Sequence, residues 1–131
     1  MKRYIISIIL ILAMAFSLTG CDKYQSHYNA VGCITSGDFD DHGFIIFTNF
    51  KGTMVFKMKC ADNSSLRYSG TLEEGNVKVY YDNGDQKTDL FEISGGEEID
   101  VSEIDLNKGT VYVIVEAEDN CESGDFRFKV V

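Results

Sequence analysis

The chain has 131 residues, 44% of them hydrophobic and 25% charged, which gives room for one folded domain and no bias toward disorder. Proline is absent, which excludes a proline-rich stalk. With 21 acidic against 12 basic side chains the net charge is −9, the wrong balance for a nucleic-acid partner, whose phosphates call for Lys and Arg.

Residues 1–20 have the layout of an export signal: Lys2 and Arg3, then an apolar run from Tyr4 to Phe16, then small and semi-polar residues. The run is short for a membrane span, which takes about 20 apolar residues. It ends in Leu18-Thr19-Gly20-Cys21. This segment resembles the lipobox of bacterial lipoproteins. The resemblance implies cleavage before Cys21 and a diacylglyceryl group on its sulfur. A membrane-anchored, extracytoplasmic protein follows, because two or more acyl chains give stable anchoring where one does not. No other cofactor is expected. The polar stretch Asp22–Ala30, with Tyr24 and Tyr28 in it, is expected to be a short tether, so the domain proper is placed at 31–131.

From there the pattern has period two. Met54, Phe56, Met58 and Cys60 share one face of 53–60, with Lys57 and Lys59 on the other. Leu66, Tyr68, Gly70 and Leu72 alternate with Arg67, Ser69 and Thr71. Val77, Val79 and Tyr81 do so with Lys78 and Tyr80, and Val111, Val113 and Val115 with Tyr112, Ile114 and Glu116. Phe126, Phe128 and Val130 alternate with Arg127 and Lys129. Alternation of this kind predicts strands with one buried face, whereas the unbroken apolar run Phe44–Phe47 predicts a strand covered on both sides. Asn83-Gly84 between two such runs is a strong hairpin signal. Gly75, Gly95-Gly96, Asn107-Lys108-Gly109, Glu118-Asp119-Asn120 and Ser123-Gly124 supply further turns. Turns at this spacing predict an all-β fold, an antiparallel two-sheet sandwich of Ig-like or jelly-roll type with about eight strands.

Cys33, Cys60 and Cys121 remain beside Cys21. An exported protein can form a disulfide, and three pairings are open. Cys60 with Cys121 is favoured, both lying at strand ends, and it would contribute about 4 kcal/mol on the chain-entropy estimate. The alternative is three reduced, small core residues. Asp38, Asp40 and Asp41 form a weak calcium candidate, since hard cations take several oxygens from a short loop, but the motif is incomplete and a solvated turn is the favoured reading. The acidic run Glu97–Asp105 is expected to be a solvated strand face. No Gly-x-Ser-x-Gly turn is present, and nothing near Cys33 suggests an activated thiol, so no catalytic residue is expected.

Lys57, Lys59, Lys78, Arg127 and Lys129 fall on outward positions of three strands, with Tyr80 among them and Arg67 on a fourth strand. Were these strands neighbours, they would form one basic face for an anionic polymer or for sugar rings stacked on Tyr80. The plain alternative is outward lysines that protect sheet edges and pair with acidic residues across strands.

The stretches Gly70–Tyr81 and Gly109–Glu116 are similar to those of small β-sandwich lipoproteins of Gram-positive bacteria. They are also similar to accessory domains of secreted hydrolases and to carbohydrate-binding modules. The resemblance implies a fold and transfers no site. The expectation is a non-catalytic binding domain for an envelope polysaccharide or a protein partner. The alternative is an assembly lipoprotein that grips a membrane protein through a sheet edge.

Overall fold

The computed structural model describes residues 23–36, 40–84 and 86–131. Eight strands follow in chain order: β1 His27–Val31, β2 Ile34–Thr35, β3 His42–Cys60, β4 Ser65–Glu74, β5 Asn76–Asp82, β6 Thr88–Ser94, β7 Glu97–Asp105 and β8 Gly109–Val130. Every pairing is antiparallel. The fold is all-β, with no helix among the described residues.

Two strands dictate the architecture. β3 has 19 residues and β8 has 22, and they pair with each other along almost their whole length. Laid flat, β3 alone would run about 60 Å, longer than a domain of this size is wide. Both strands therefore bend and pass from one layer to the other. The bend lies where the register slips between Phe50 and Gly52. Gly52 takes a φ of 120°, and a Cβ there would come within 2.4 Å of the His27 carbonyl oxygen, so a residue with a side chain does not fit this bulge.

The first layer holds β2, the first half of β3, the second half of β8, β4 and β7; the second holds β1, the second half of β3, the first half of β8, β5 and β6. The two halves of β3 face each other across the core, where Gly43 lies so close to the Phe56 ring that an added Cβ would sit 2.5 Å from it. At the open side β6 closes over β4. The Phe91 ring stacks on Tyr68 at 5.5 Å and on Phe126 at 6.3 Å. Phe47, Phe50, Phe126, Leu66, Leu72, Val77, Val79, Ile93, Val111, Val113 and Val115 fill the space between the layers.

The rows Met54-Phe56-Met58-Cys60, Val77-Val79, Val111-Val113-Val115 and Phe126-Phe128 are buried as the alternation predicts. Four expectations change. The runs at 44–47 and 53–60 are one strand, as are those at 111–116 and 126–130. Glu118-Asp119-Asn120 and Ser123-Gly124 are not turns but irregular positions inside β8, where it bends; Ser123 has a φ of 52°. Within 44–47 only Ile45 and Phe47 face the core, while Phe44 and Ile46 are half-buried on the outside. The expected tether at 21–30 is already part of the fold from Lys23 onward, and 27–31 is strand β1. The signal segment 1–20 and Cys21 lie outside the described residues.

Candidate binding face

The bend in β3 and β8 splits the expected basic face. Lys57 and Lys59 lie on the second-layer half of β3, beside Tyr112 and Thr110 of β8, and Lys78 and Tyr80 are on β5 in the same layer. Arg127 and Lys129 lie beyond the bend in the first layer, opposite Phe44 and His42 on one side and Ser69 and Arg67 on the other. The two groups therefore occupy opposite outer surfaces. Three of these cations also meet a nearby acid. Arg67 donates from Nε and an Nη to one Glu103 oxygen at 2.8 and 2.7 Å, Arg127 forks onto Asp125, and Lys78 approaches Asp89 at 3.9 Å. The plain alternative, charge pairing on strands, describes these residues.

The outer face of the second layer has two parts. Across its lower part runs a strap, Lys23 to Ser26. The Ser26 hydroxyl accepts the Val55 amide at the edge of β3 at 2.9 Å. Tyr24 crosses over to meet Tyr112 edge-on at 5.3 Å. Its hydroxyl and the Lys23 ammonium both donate to Asp82 Oδ2, each at 2.7 Å, while Asp82 Oδ1 accepts the Gly84 amide at 3.0 Å. Asp82 is 1% exposed. Burial pushes its carboxyl up, but the Lys23, Tyr24 and Gly84 donors outweigh it and hold the group below its ordinary range. Burial and the same hydrogen bond push the Tyr24 phenol up. Ile114, between Val55 and Tyr80 on this face, is 1% exposed although it lies outside the interlayer core. The sequence showed Asp82 only as a turn residue. The aromatic Tyr24 inside an otherwise polar stretch was the available sign that this segment packs.

Further up the same face, toward the bend, lies an open groove of about 510 Å³, lined by Gly75, Asn76, Lys78, Tyr80, Glu92, Glu116, Glu118 and Asp119. Of the expected binding residues, Lys78 and Tyr80 are here. The carboxylates are Glu92 of β6, Glu116 of the β8 run read as a strand, and Glu118 and Asp119 of the β8 segment read as a turn. Tyr80 is not a bare platform: the Lys87 ammonium sits 4.1 Å from its ring centre and pairs with Glu116 at 2.7 Å, and the Lys78 ammonium lies at 5.2 Å. Contact with the Tyr80 hydroxyl, then the charge of Asp89, pushes Lys78 up, so it is charged at neutral pH.

The three thiols are unbonded. The expected Cys60–Cys121 pair does not form, because Cys60 ends β3 opposite Gly109 whereas Cys121 sits at the bend opposite Phe50, about 30 Å away along the strand. Burial pushes all three thiols up; for Cys121 this prevails over the opposing effect of a backbone hydrogen bond with Asn76. An activated thiol needs the opposite shift. In the calcium candidate, Asp38 lies outside the described residues. Asp41 is engaged by His42 Nδ1 at 2.9 Å, a contact that holds its carboxyl below the usual range. Among the described residues no three His, Cys, Asp or Glu side chains are placed to hold a metal ion.

No family model matches the sequence, and no curated protein matches it. Among solved structures, the chain is similar to a variant of a family 29 carbohydrate-binding module complexed with mannohexaose, at 17% identity over 81% of this chain and 89% of that one, with a TM-score of 0.41. It is also similar to a second variant of a family 29 module (19%, 79% and 77%, TM-score 0.41). A cupin-2 domain protein from Shewanella frigidimarina matches at 15% over 90% of each chain, with a TM-score of 0.33. At these values the likeness places neither a ligand nor a function.

Proposed function

We propose that this is a lipid-anchored, extracytoplasmic protein whose sandwich is a non-catalytic binding domain for an envelope polysaccharide. Cys21, in the Leu18–Cys21 box, carries the anchor. The observation that supports binding is the groove. It is open and lined by an amide, an ammonium, a phenol and four carboxylates, which is a set of donors and acceptors suited to sugar hydroxyls. Its charge selects among glycans. Glu92, Glu116, Glu118 and Asp119 outnumber Lys78, so a polyanion is repelled and a neutral or amino-bearing chain is favoured. The expectation of an anionic polymer is dropped on this ground.

Calorimetric titration of the full chain in detergent with neutral and polyanionic wall polysaccharides tests the groove. Glu118→Gln and Tyr80→Phe are each expected to weaken neutral-glycan binding about tenfold, the equivalent of one hydrogen bond. Absence of binding to any glycan, with the protein folded, removes this reading. Mass spectrometry of the wild type and Cys21→Ala tests the anchor; acyl groups on the variant would refute it.

A second reading has one observation in its favour. β1 is an edge strand, and Val31 at its end and Ile34 in β2 are 64% and 63% exposed. A membrane protein docked on this edge would be captured by crosslinking in intact membranes, and the crosslinks would map to 27–35 rather than to the groove.

A further inference from the structure

We infer that the strap fixes how the domain stands on the membrane: the end carrying Asp82, Asn83 and Lys108 is pressed to the lipid surface, and the groove is held at a distance from it. The inference rests on the lipid anchor at Cys21 proposed above. Its starting point is chain length. Only Asp22 separates Cys21 from Lys23, so two Cα–Cα steps of about 3.8 Å each bound the distance from the acylated residue to the folded domain. A tether of nine residues would leave the domain free to tumble; one linking residue does not.

Lys23 is itself held. Its ammonium and the Tyr24 hydroxyl meet the buried carboxylate of Asp82, Tyr24 packs on Tyr112, and Ser26 accepts the Val55 amide. These contacts bring the anchor to one end of the second layer. Asn83 ties the neighbouring loop to that same end: its side chain accepts the Asn107 amide at 2.6 Å and donates to the Asn107 and Thr110 carbonyls at 3.1 Å. Lys108 in that loop is exposed, and Lys59 lies opposite Thr110. The acyl chains thus enter the bilayer beside a rigid platform of two connected loops, which a lipid surface meets first.

The groove follows from the same register. Asp82 is opposite Tyr112, whereas Lys78 is opposite Glu116, so the groove lies farther along β5 and β8, toward the bend. It is thereby held off the lipid surface and opens on the outer face of the layer. The exposed Val31, opposite Asn49 near the bend, and Ile34, opposite Ile46 in the first layer, are the rival membrane contact.

The chain contains no tryptophan, so a single introduced one reports position. Lys108→Trp and Val31→Trp, each in the full lipidated chain, are reconstituted in phosphatidylglycerol–phosphatidylcholine vesicles containing lipids brominated near the headgroup. Quenching is expected to be severalfold stronger at position 108 than at 31. Adding Lys23→Gln with Tyr24→Phe, which leaves Asp82 in place, is expected to bring the two values together while circular dichroism stays that of a sheet protein. Equal quenching in the unmodified strap, or stronger quenching at 31, overturns the inference. The mass of the N-terminal peptide separates the causes: an acylated Cys21 with equal quenching refutes the orientation alone, and an unacylated Cys21 refutes the anchor and the orientation with it.

Discussion

Two parts of one surface, the strapped and the open ends of the second layer's outer face, are built on the same strands and differ in what meets them. Around Tyr112 the chain's own residues supply every contact: Asp82 has three donors, Tyr24 lies against Tyr112, and Ile114 is shut off from water. Around Glu116 the internal contacts are its pair with Lys87 and the Asn76 amide on Glu92, while Glu118 and Asp119 are exposed. A buried carboxylate is tolerable only where donors surround it, so the strap and Asp82 stand or fall together. The carboxylates of the open end stay in water and need no such partner.

The comparison is broken most severely at Ile114. Ile114→Ala is expected to cost about 2–5 kcal/mol in denaturant unfolding, as for a core isoleucine, although the residue lies outside the interlayer core. Glu116→Ala, two residues along the same strand, is expected to change stability by no more than about 0.5 kcal/mol. Similar costs at the two positions would mean that the strapped end is not a packed unit.

Asp82→Ala comes next. It strands Tyr24 and the Gly84 amide and is expected to cost about 1–3 kcal/mol at neutral pH, the Lys23 share being reduced because that side chain is 47% exposed. The carboxyl is held below its unfolded value, so its stabilisation is present above an unfolded pKa of about 3.9 and fades as pH falls through the lower folded value. Wild type and variant should therefore converge in acid; a gap that persists at pH 2 would show that shape rather than charge is responsible. Tyr24→Phe removes one of the three donors and is expected to cost about 1 kcal/mol, read as a shift of a few degrees in thermal unfolding.

The smallest effect belongs to the open end, and its sign is opposite. At its border Glu122 is opposite Glu74 across β8 and β4. Hydrogen bonding to Glu74, then its charge, pushes the Glu122 carboxyl up. A carboxyl raised in the folded state holds its proton longer there, so this pair weakens the fold as pH rises past the unfolded value. Glu122→Gln is expected to raise the melting temperature slightly at pH 7 and to leave it unchanged below pH 4. No gain at pH 7 would mean that solvent already screens the pair.

Much of this was legible along the chain. The alternating rows at 53–60, 77–81, 111–116 and 126–130 named the residues that face the interlayer core, because a strand's side chains alternate whatever its neighbours are, but they missed Ile114, which is buried on the outer side. Alternation is silent on continuity, however. It reads the same whether 44–47 and 53–60 are two strands or one bent strand, and that ambiguity put Lys57 and Arg127 on one face when the bend sets them on two. The Cys60–Cys121 expectation failed for the same reason. The groove was half visible, in Lys78 and Tyr80; of its carboxylates, Glu118 and Asp119 were hidden in residues read as a turn, and Glu92 and Glu116 in strands whose neighbours the pattern does not give.

What the sequence determined by itself is local: the strand class, the inward rows, the hairpin at Asn83-Gly84, and the export-signal pattern ending at Cys21. These depend on side-chain periodicity, turn chemistry and short motifs, each contained within a few residues. The tertiary structure alone decided which cations share a surface, that Tyr24 and Lys23 reach Asp82 some 58 and 59 positions away, and where an open groove is left. Those depend on the path of two long strands around a core. Period-two patterning constrains only which side of a strand faces inward, and leaves the bend, and with it every long-range pairing, to the packing of the whole.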